Sequence, residues 1–208
     1  MKKALLVIAA FALTAAAAKG TGAKIGTWTM TTVELNANLQ SGAFSAPKHV
    51  TLERPDGSTV DADRATGNYK QKQATLYGHV TVHDASGTFG LKSAQQSSSH
   101  GPATLTADQL QVNDTTHIYD AAGSVHYEQG DTTADAQTAH LNDVTHELQL
   151  TGKVHVVQGD RTLDADSVVY NTRSGSGTAS NNVTMTFPGV TPSIATPKPI
   201  TIKGPGIP

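Results

Sequence analysis

The chain reads as an all-β protein: a long antiparallel sheet of repeated hairpins, folded back on itself into a V-shaped or jelly-roll cross-section with an apolar interior. Three observations predict this. Apolar and polar residues alternate with period two over several stretches, as in Ala74, Leu76, Gly78, Val80 and Val82, or Leu148, Leu150, Gly152, Val154 and Val156. That period belongs to strands with one buried face. The pattern also recurs. The triplets Lys48-His49-Val50, Gly78-His79-Val80, Gly123-Ser124-Val125, Gly152-Lys153-Val154 and Asn181-Asn182-Val183 start at intervals of 30, 45, 29 and 29 residues. Finally, the apolar parity switches at a fixed place in each unit: Leu105 and Ala107 share one parity and Leu110 and Val112 the other. A one-residue slip exchanges the faces of a strand, so the chain must bulge or bend there to keep its apolar groups inside.

The N-terminus precedes this pattern. Lys2 and Lys3 lead into an apolar run from Ala4 to Ala18, which ends Ala16-Ala17-Ala18 before Lys19. A basic start, a short apolar stretch and small residues at its end have the form of a secretory signal peptide, whereas a spanning helix needs about 20 apolar residues. Residues 1–18 are assigned to that signal, with cleavage near Lys19, and the body of the fold to residues 19–187. Residues 24–36, with Trp28, Met30, Val33 and Leu35, read as an irregular first strand pair.

About five two-strand units of roughly 30 residues follow, near 45–60, 61–90, 105–130, 133–159 and 162–187. A second marker recurs in phase: Ala62-Asp63, Ala107-Asp108, Ala134-Asp135 and Ala165-Asp166, with 15, 15, 17 and 15 residues from each Asp to the next triplet. Glycines at 57, 87, 130 and 159 make the turns. The 45-residue interval holds one insertion, marked by the polar run from Gln95 to Pro102. Six of the nine prolines fall in residues 188–208, a Pro-rich tail in which Ile200-Thr201-Ile202 could form only a short edge strand.

Composition narrows the function. The chain has no cysteine, a net charge of −2 and no basic cluster, so neither a disulfide scaffold nor nucleic-acid binding is indicated. Aromatics are 5% of residues, so Val, Ala and Leu must supply the interior. By parity the inward residues are Val50, Leu52, Leu76, Val80, Val82, Val125, Tyr127, Leu148, Leu150, Val154, Val156, Val183, Met185 and Phe187. They could form a sandwich core. Their small size and the few aromatics lean towards an open groove over a packed core. The pairs Asp61/Asp63 and Asp164/Asp166 could be calcium ligands or paired acids. No calcium-loop glycine pattern accompanies them, and solvated residues beside a bend is the preferred reading. His79, His83 and His155 alternate with the apolar face and point outward. No nucleophile, phosphate-loop or dinucleotide motif occurs, so the expectation is a protein without enzymatic activity, metal or cofactor.

The pattern Val-x-Ala-Asp, Tyr or Val, Leu-x-Gly-x-Val-x-Val and a Gly turn, clearest from Val60 to Val82 and from Leu105 to Val169, resembles the OstA-like superfamily. That family comprises the periplasmic lipopolysaccharide-transport proteins LptA and LptC and the N-terminal domain of LptD. The resemblance covers most of residues 45–187. It implies a β-jellyroll whose apolar groove holds acyl chains, joined edge to edge to Lpt components or to a second copy. It implies lipopolysaccharide or another acylated lipid as ligand and the periplasm as location, and leaves the LptA-like and LptC-like roles open. The edges are expected near residues 45–52 and 180–187. The competing readings are a structural or adhesive cell-surface β-repeat protein, which would carry more repeats, and a β-helical polysaccharide-cleaving enzyme, for which no convergent acids and bases are present.

Overall fold

In a computed structural model the structure describes residues 21–85, 87 and 101–189. The segment expected to be a signal peptide, most of the polar insertion and nearly all of the Pro-rich tail lie outside the described residues. These form fifteen strands: β1 (Thr21–Ile25), β2 (Trp28–Thr32), β3 (Asn36–Ala37), β4 (Ala43–Ala46), β5 (Val50–Glu53), β6 (Thr59–Ala62), β7 (Arg64–Asn68), β8 (Gln73–Asp84), β9 (Ala103–Asn113), β10 (Ile118–Gln129), β11 (Thr132–Asn142), β12 (Glu147–Gln158), β13 (Arg161–Asn171), β14 (Ser176–Ser180) and β15 (Thr184–Thr186). Among them no helix is long and apolar enough to cross a membrane. All pairings are antiparallel in one open sheet, whose main path runs β1-β2-β5-β6-β8-β9-β10-β11-β12-β13-β14.

The sheet is folded along a line through the middle of its long strands. In β8, β10 and β12 the dipeptides Gly78-His79, Gly123-Ser124 and Gly152-Lys153 all have positive φ and interrupt the register. The neighbouring strand spends one residue where these spend two: Asp108 alone lies opposite Gly78-His79. Two extra residues preserve parity, so Leu76 and Val80 both stay buried. A single residue reverses it, so burial passes from Ala107 to Leu110. The parity switch therefore marks a bulge, and the glycine is its left-handed element.

The residue at the switch packs over the glycine of the next strand. A Cβ on Gly78, Gly123 or Gly152 would collide with Asp63, Asp108 or Gln137 respectively. This corrects one marker. Gln137, not Asp135, is the bend residue of its strand, and Asp63, Asp108, Gln137 and Asp166 each precede their bulge by 15 residues. The anomalous interval of 17 came from taking an Asp where the chain uses a Gln.

On one side of the fold line, the first wall holds β2, β5, β6, the Thr132–Ala136 end of β11 and β15. On the other, the second wall holds β4, β7, the Thr138–Asn142 end of β11 and β14. Along the first wall's lip, Gly130-Asp131 and Gly159-Asp160 are two-residue hairpin loops with positive φ at the first position, as a type II′ turn needs. The second lip uses longer turns that the sequence reading did not single out. Asn38, Asn68, Asn113, Asn142 and Asn171 each accept two backbone N–H groups through the side-chain oxygen, from the residues two and three ahead. Successive turns are stitched together: Asp114 N donates to Lys72 O, Asp143 N to His117 O and Thr172 N to His146 O.

The N-terminal strands are more regular than expected. β1 and β2 form a hairpin whose second strand pairs with β5, and β3 pairs with β4. Residues 45–52 are therefore interior to the sheet, and among the described residues the N-terminal edges are β1 and β3. The reason is visible in burial: Ile25, Trp28 and Met30 are fully buried, so this hairpin belongs to the core.

Candidate functional site

Between the two walls lies an open-sided cavity of about 770 Å³, counting the space in its mouth. Its lining is apolar because inward positions on both walls fall on the alternating Val, Leu and Ala residues. Small side chains on the second wall, Ala121 and Ala139, face Val125 and Ala134 on the first. Two tyrosines add polar tips. Burial pushes the Tyr119 hydroxyl up to about 12, so it stays neutral. Tyr127 donates to Gln129 Oε1 at 2.7 Å, and Gln129 Nε2 donates to Gly101 O at 2.7 Å. Among the described residues one carboxylate lines it, Asp84, which accepts from Ser58 Oγ at 3.4 Å. A surface of this kind can hold hydrocarbon without polar recognition.

The trough is closed at its N-terminal end. The β1–β2 hairpin extends from the first wall until its tip meets the second lip, where Thr27 N and Thr27 Oγ1 both donate to the Asp114 carboxylate at 2.9 Å. Gly26 passes so close to Asp114 that a Cβ would collide with it. The other end is looser: Val156 and Leu163 are half-buried, and β14 and β15 are largely exposed.

The fourteen inward candidates separate into three groups. Val82, Val125, Tyr127, Leu148 and Leu150 line the cavity. Val50, Leu52, Leu76, Val80 and Val154 are at most 1% exposed, packed in the interior outside its lining, and Val156 is half-buried. Val183, Met185 and Phe187 are 48–64% exposed on and beside the edge strand β15. Lining residues that the parity list omitted include Trp28, Leu110 and Leu141. The first lay in the segment read as irregular; the others lie beyond the parity switch, where continuing an alternation across a bulge goes astray.

The acidic pairs do not act together. Asp61 accepts from Thr51 Oγ1 at 2.7 Å, while Asp63 meets His79 Nδ1 at 2.8 Å. Asp164 meets His155 Nδ1 at 2.6 Å, while Asp166 accepts from Asn182 Nδ2 at 2.7 Å. His126–Asp135 and His140–Asp120 make similar contacts across neighbouring strands. These are exposed pairs on the outer face, where an ion pair contributes little. Among the described residues no group of three or more such side chains could hold a metal ion.

Comparison with known proteins agrees with this architecture. Residues 133–192 match the family model for the LptA/(LptD N-terminal domain) LPS transport protein, and residues 14–85 match that for lipopolysaccharide-assembly, LptC-related proteins. No curated protein sequence matches the chain. Among solved structures, the chain resembles the crystal structure of LptH, the LptA-homologous periplasmic component of the lipopolysaccharide transport device of Pseudomonas aeruginosa. The TM-score is 0.50 at 20% identity, covering 64% of this chain and 95% of that one. With an open antiparallel sheet folded into a trough, the chain shares the fold of the LptH structure, and it is similar to LptC-related proteins over residues 14–85 and to LptA and the LptD N-terminal domain over residues 133–192.

Proposed function

We propose that this protein carries lipopolysaccharide or a similarly acylated lipid across the periplasm, as an LptA-like bridge or an LptC-like component, with the acyl chains lying in the trough between the two walls. The observation that carries this reading is the open-sided apolar cavity. A closed sandwich would fill such a space, and an enzyme would aim catalytic groups into it. The protein acts by sequestering hydrocarbon from water: each methylene buried contributes about 0.8 kcal/mol, and no reaction is required. Its neighbours in the transport chain join by adding strands to the exposed sheet edges.

The test fills the cavity without adding charge. Ala139 lines it and is 6% exposed. Ala139→Phe places a ring in the space an acyl chain would occupy, so lipopolysaccharide binding should fall at least tenfold while the protein still unfolds cooperatively. Lys153→Glu, on the outer bulge, is the control and should bind as the unaltered protein does. Undiminished binding by a folded Ala139→Phe variant would place the lipid elsewhere.

A further inference from the structure

At the C-terminal end of the first wall, β15 pairs with β13 and, among the described residues, with no strand on its other side. Val183, Met185 and Phe187 share one parity and are exposed, and Met185 lies opposite Leu163, which packs against the core. The apolar stripe therefore lies on the trough side and continues the first wall. An edge with apolar side chains and unpaired backbone groups favours one further strand over water. Charge restricts what that strand can be. Residues 101–189 hold three Lys or Arg side chains against eleven Asp or Glu. Two of those acids stand beside this edge on β13: Asp164 lies opposite Thr184, and Asp166 accepts from Asn182 Nδ2 at 2.7 Å.

We propose that this edge is occupied by the chain's own tail, with the segment from Pro199 to Lys203 added antiparallel to β15. The pattern fits, because Ile200 and Ile202 flank Thr201 as Val183, Met185 and Phe187 alternate with Thr184 and Thr186. Two registers set apolar on apolar and Thr on Thr, the pairing that stabilises neighbouring strands. In one, Ile202 meets Met185 and Lys203 falls opposite Thr184, in the row of Asp164. In the other, Ile200 meets Met185 and Lys203 falls opposite Asn182, the partner of Asp166. Either register brings the lysine to an acid of β13. The charge balance agrees, since residues 190–208 hold Lys198 and Lys203 and no acidic residue. The tether is long enough. Ten residues, 190–199, separate Gly189 from Ile200, and at about 3.1 Å each they reach roughly 30 Å, several times the length of β15. Pro199 and Pro205 bound the segment, and a proline has no N–H to offer a further strand, so the addition ends the sheet. A partner that joins by strand addition, as in the reading above on which this step rests, must first displace the tail.

The chain has no cysteine, so introduced pairs report contacts cleanly. In the full chain, Thr201→Cys is combined with Thr184→Cys or with Thr186→Cys, the positions that the two registers set opposite it. Opposed residues of antiparallel strands lie about 4.5–5.5 Å apart at Cα, within disulfide range. Thr201→Cys with Thr178→Cys, on the exposed strand β14, is the control. On mild oxidation with diamide, one of the two β15 pairs should close within the monomer, independently of protein concentration and at least about tenfold faster than the control. Closure no faster than the control shows a tail that visits every surface alike and overturns the proposal. Disulfides that join two chains, in a yield that rises with concentration, assign the edge to a second copy and also overturn it. Independently, Ile200→Asp combined with Ile202→Asp should speed amide exchange in β15 about tenfold, with β10 to β12 unchanged; unaltered β15 exchange overturns the docking. Closing the disulfide should also block association through this edge. Association that survives it removes the partner from β15 and leaves the docked tail standing.

Discussion

Gly152 has φ +82, and a Cβ there would strike the Gln137 side chain. A β-branched residue meets both the backbone penalty and the collision, so Gly152→Val should lose about 2–4 kcal/mol of stability in chemical denaturation. Gly189, with open space around it, is the control, and Gly189→Val should stay within about 0.5 kcal/mol. At the corresponding bulge of β8, His79 is held above its usual pKa by its hydrogen bond to Asp63, reinforced by the Asp63 and Asp108 charges. A raised folded-state pKa gives a contribution that is complete below the unfolded value near 6.5 and fades as pH rises through the folded value. An NMR titration should therefore place His79 above 6.5, and Asp63→Asn should lower it. The bend was legible as a parity switch because burial forces apolar residues inward. Which residue carries it was not, because Asp and Gln can both lie over a glycine and only Asp recurs often enough to stand out.

Among the elements, the β1–β2 hairpin is the least legible and the most consequential. Its alternation is short and dominated by Thr, so nothing in its sequence distinguishes a buried cap from a frayed end. The hairpin earns its place through tertiary contacts: Trp28 beneath Arg54, and Thr27 on Asp114, 87 residues away in sequence. Asp114→Ala removes both acceptors at the tip. The expected loss is about 1–3 kcal/mol of local stability. It should appear as faster amide hydrogen exchange in β1 and β2, with β10 to β12 unchanged. Equal exchange in the variant would show that burial of Ile25 and Met30 alone holds the cap. The Asn turns of the second lip were hidden for a different reason. Their intervals of 30, 45, 29 and 29 repeat those of the triplets, but one Asn per turn is a faint signal beside Gly-x-Val.

At the scale of the whole molecule the sheet has two unlike ends. The N-terminal end is capped by a hairpin with a buried aromatic core. The C-terminal end finishes in two short strands, β14 and β15, both pairing with β13. On and beside β15, Val183, Met185 and Phe187 stand 48%, 51% and 64% exposed. Short strands leave backbone groups unpaired at an edge, and apolar side chains next to them favour an added strand over water. The trough also loosens towards this end, so a partner sheet seated here would continue both walls and extend the apolar channel. Met185→Glu should therefore weaken association, whether with a second copy or with another transport component, because the added charge must be desolvated on pairing. The substitution is on the surface, so the melting temperature should hardly move. Sedimentation over a concentration series reads the outcome. A variant that assembles like the unaltered chain would move the partner surface to β1 or β3.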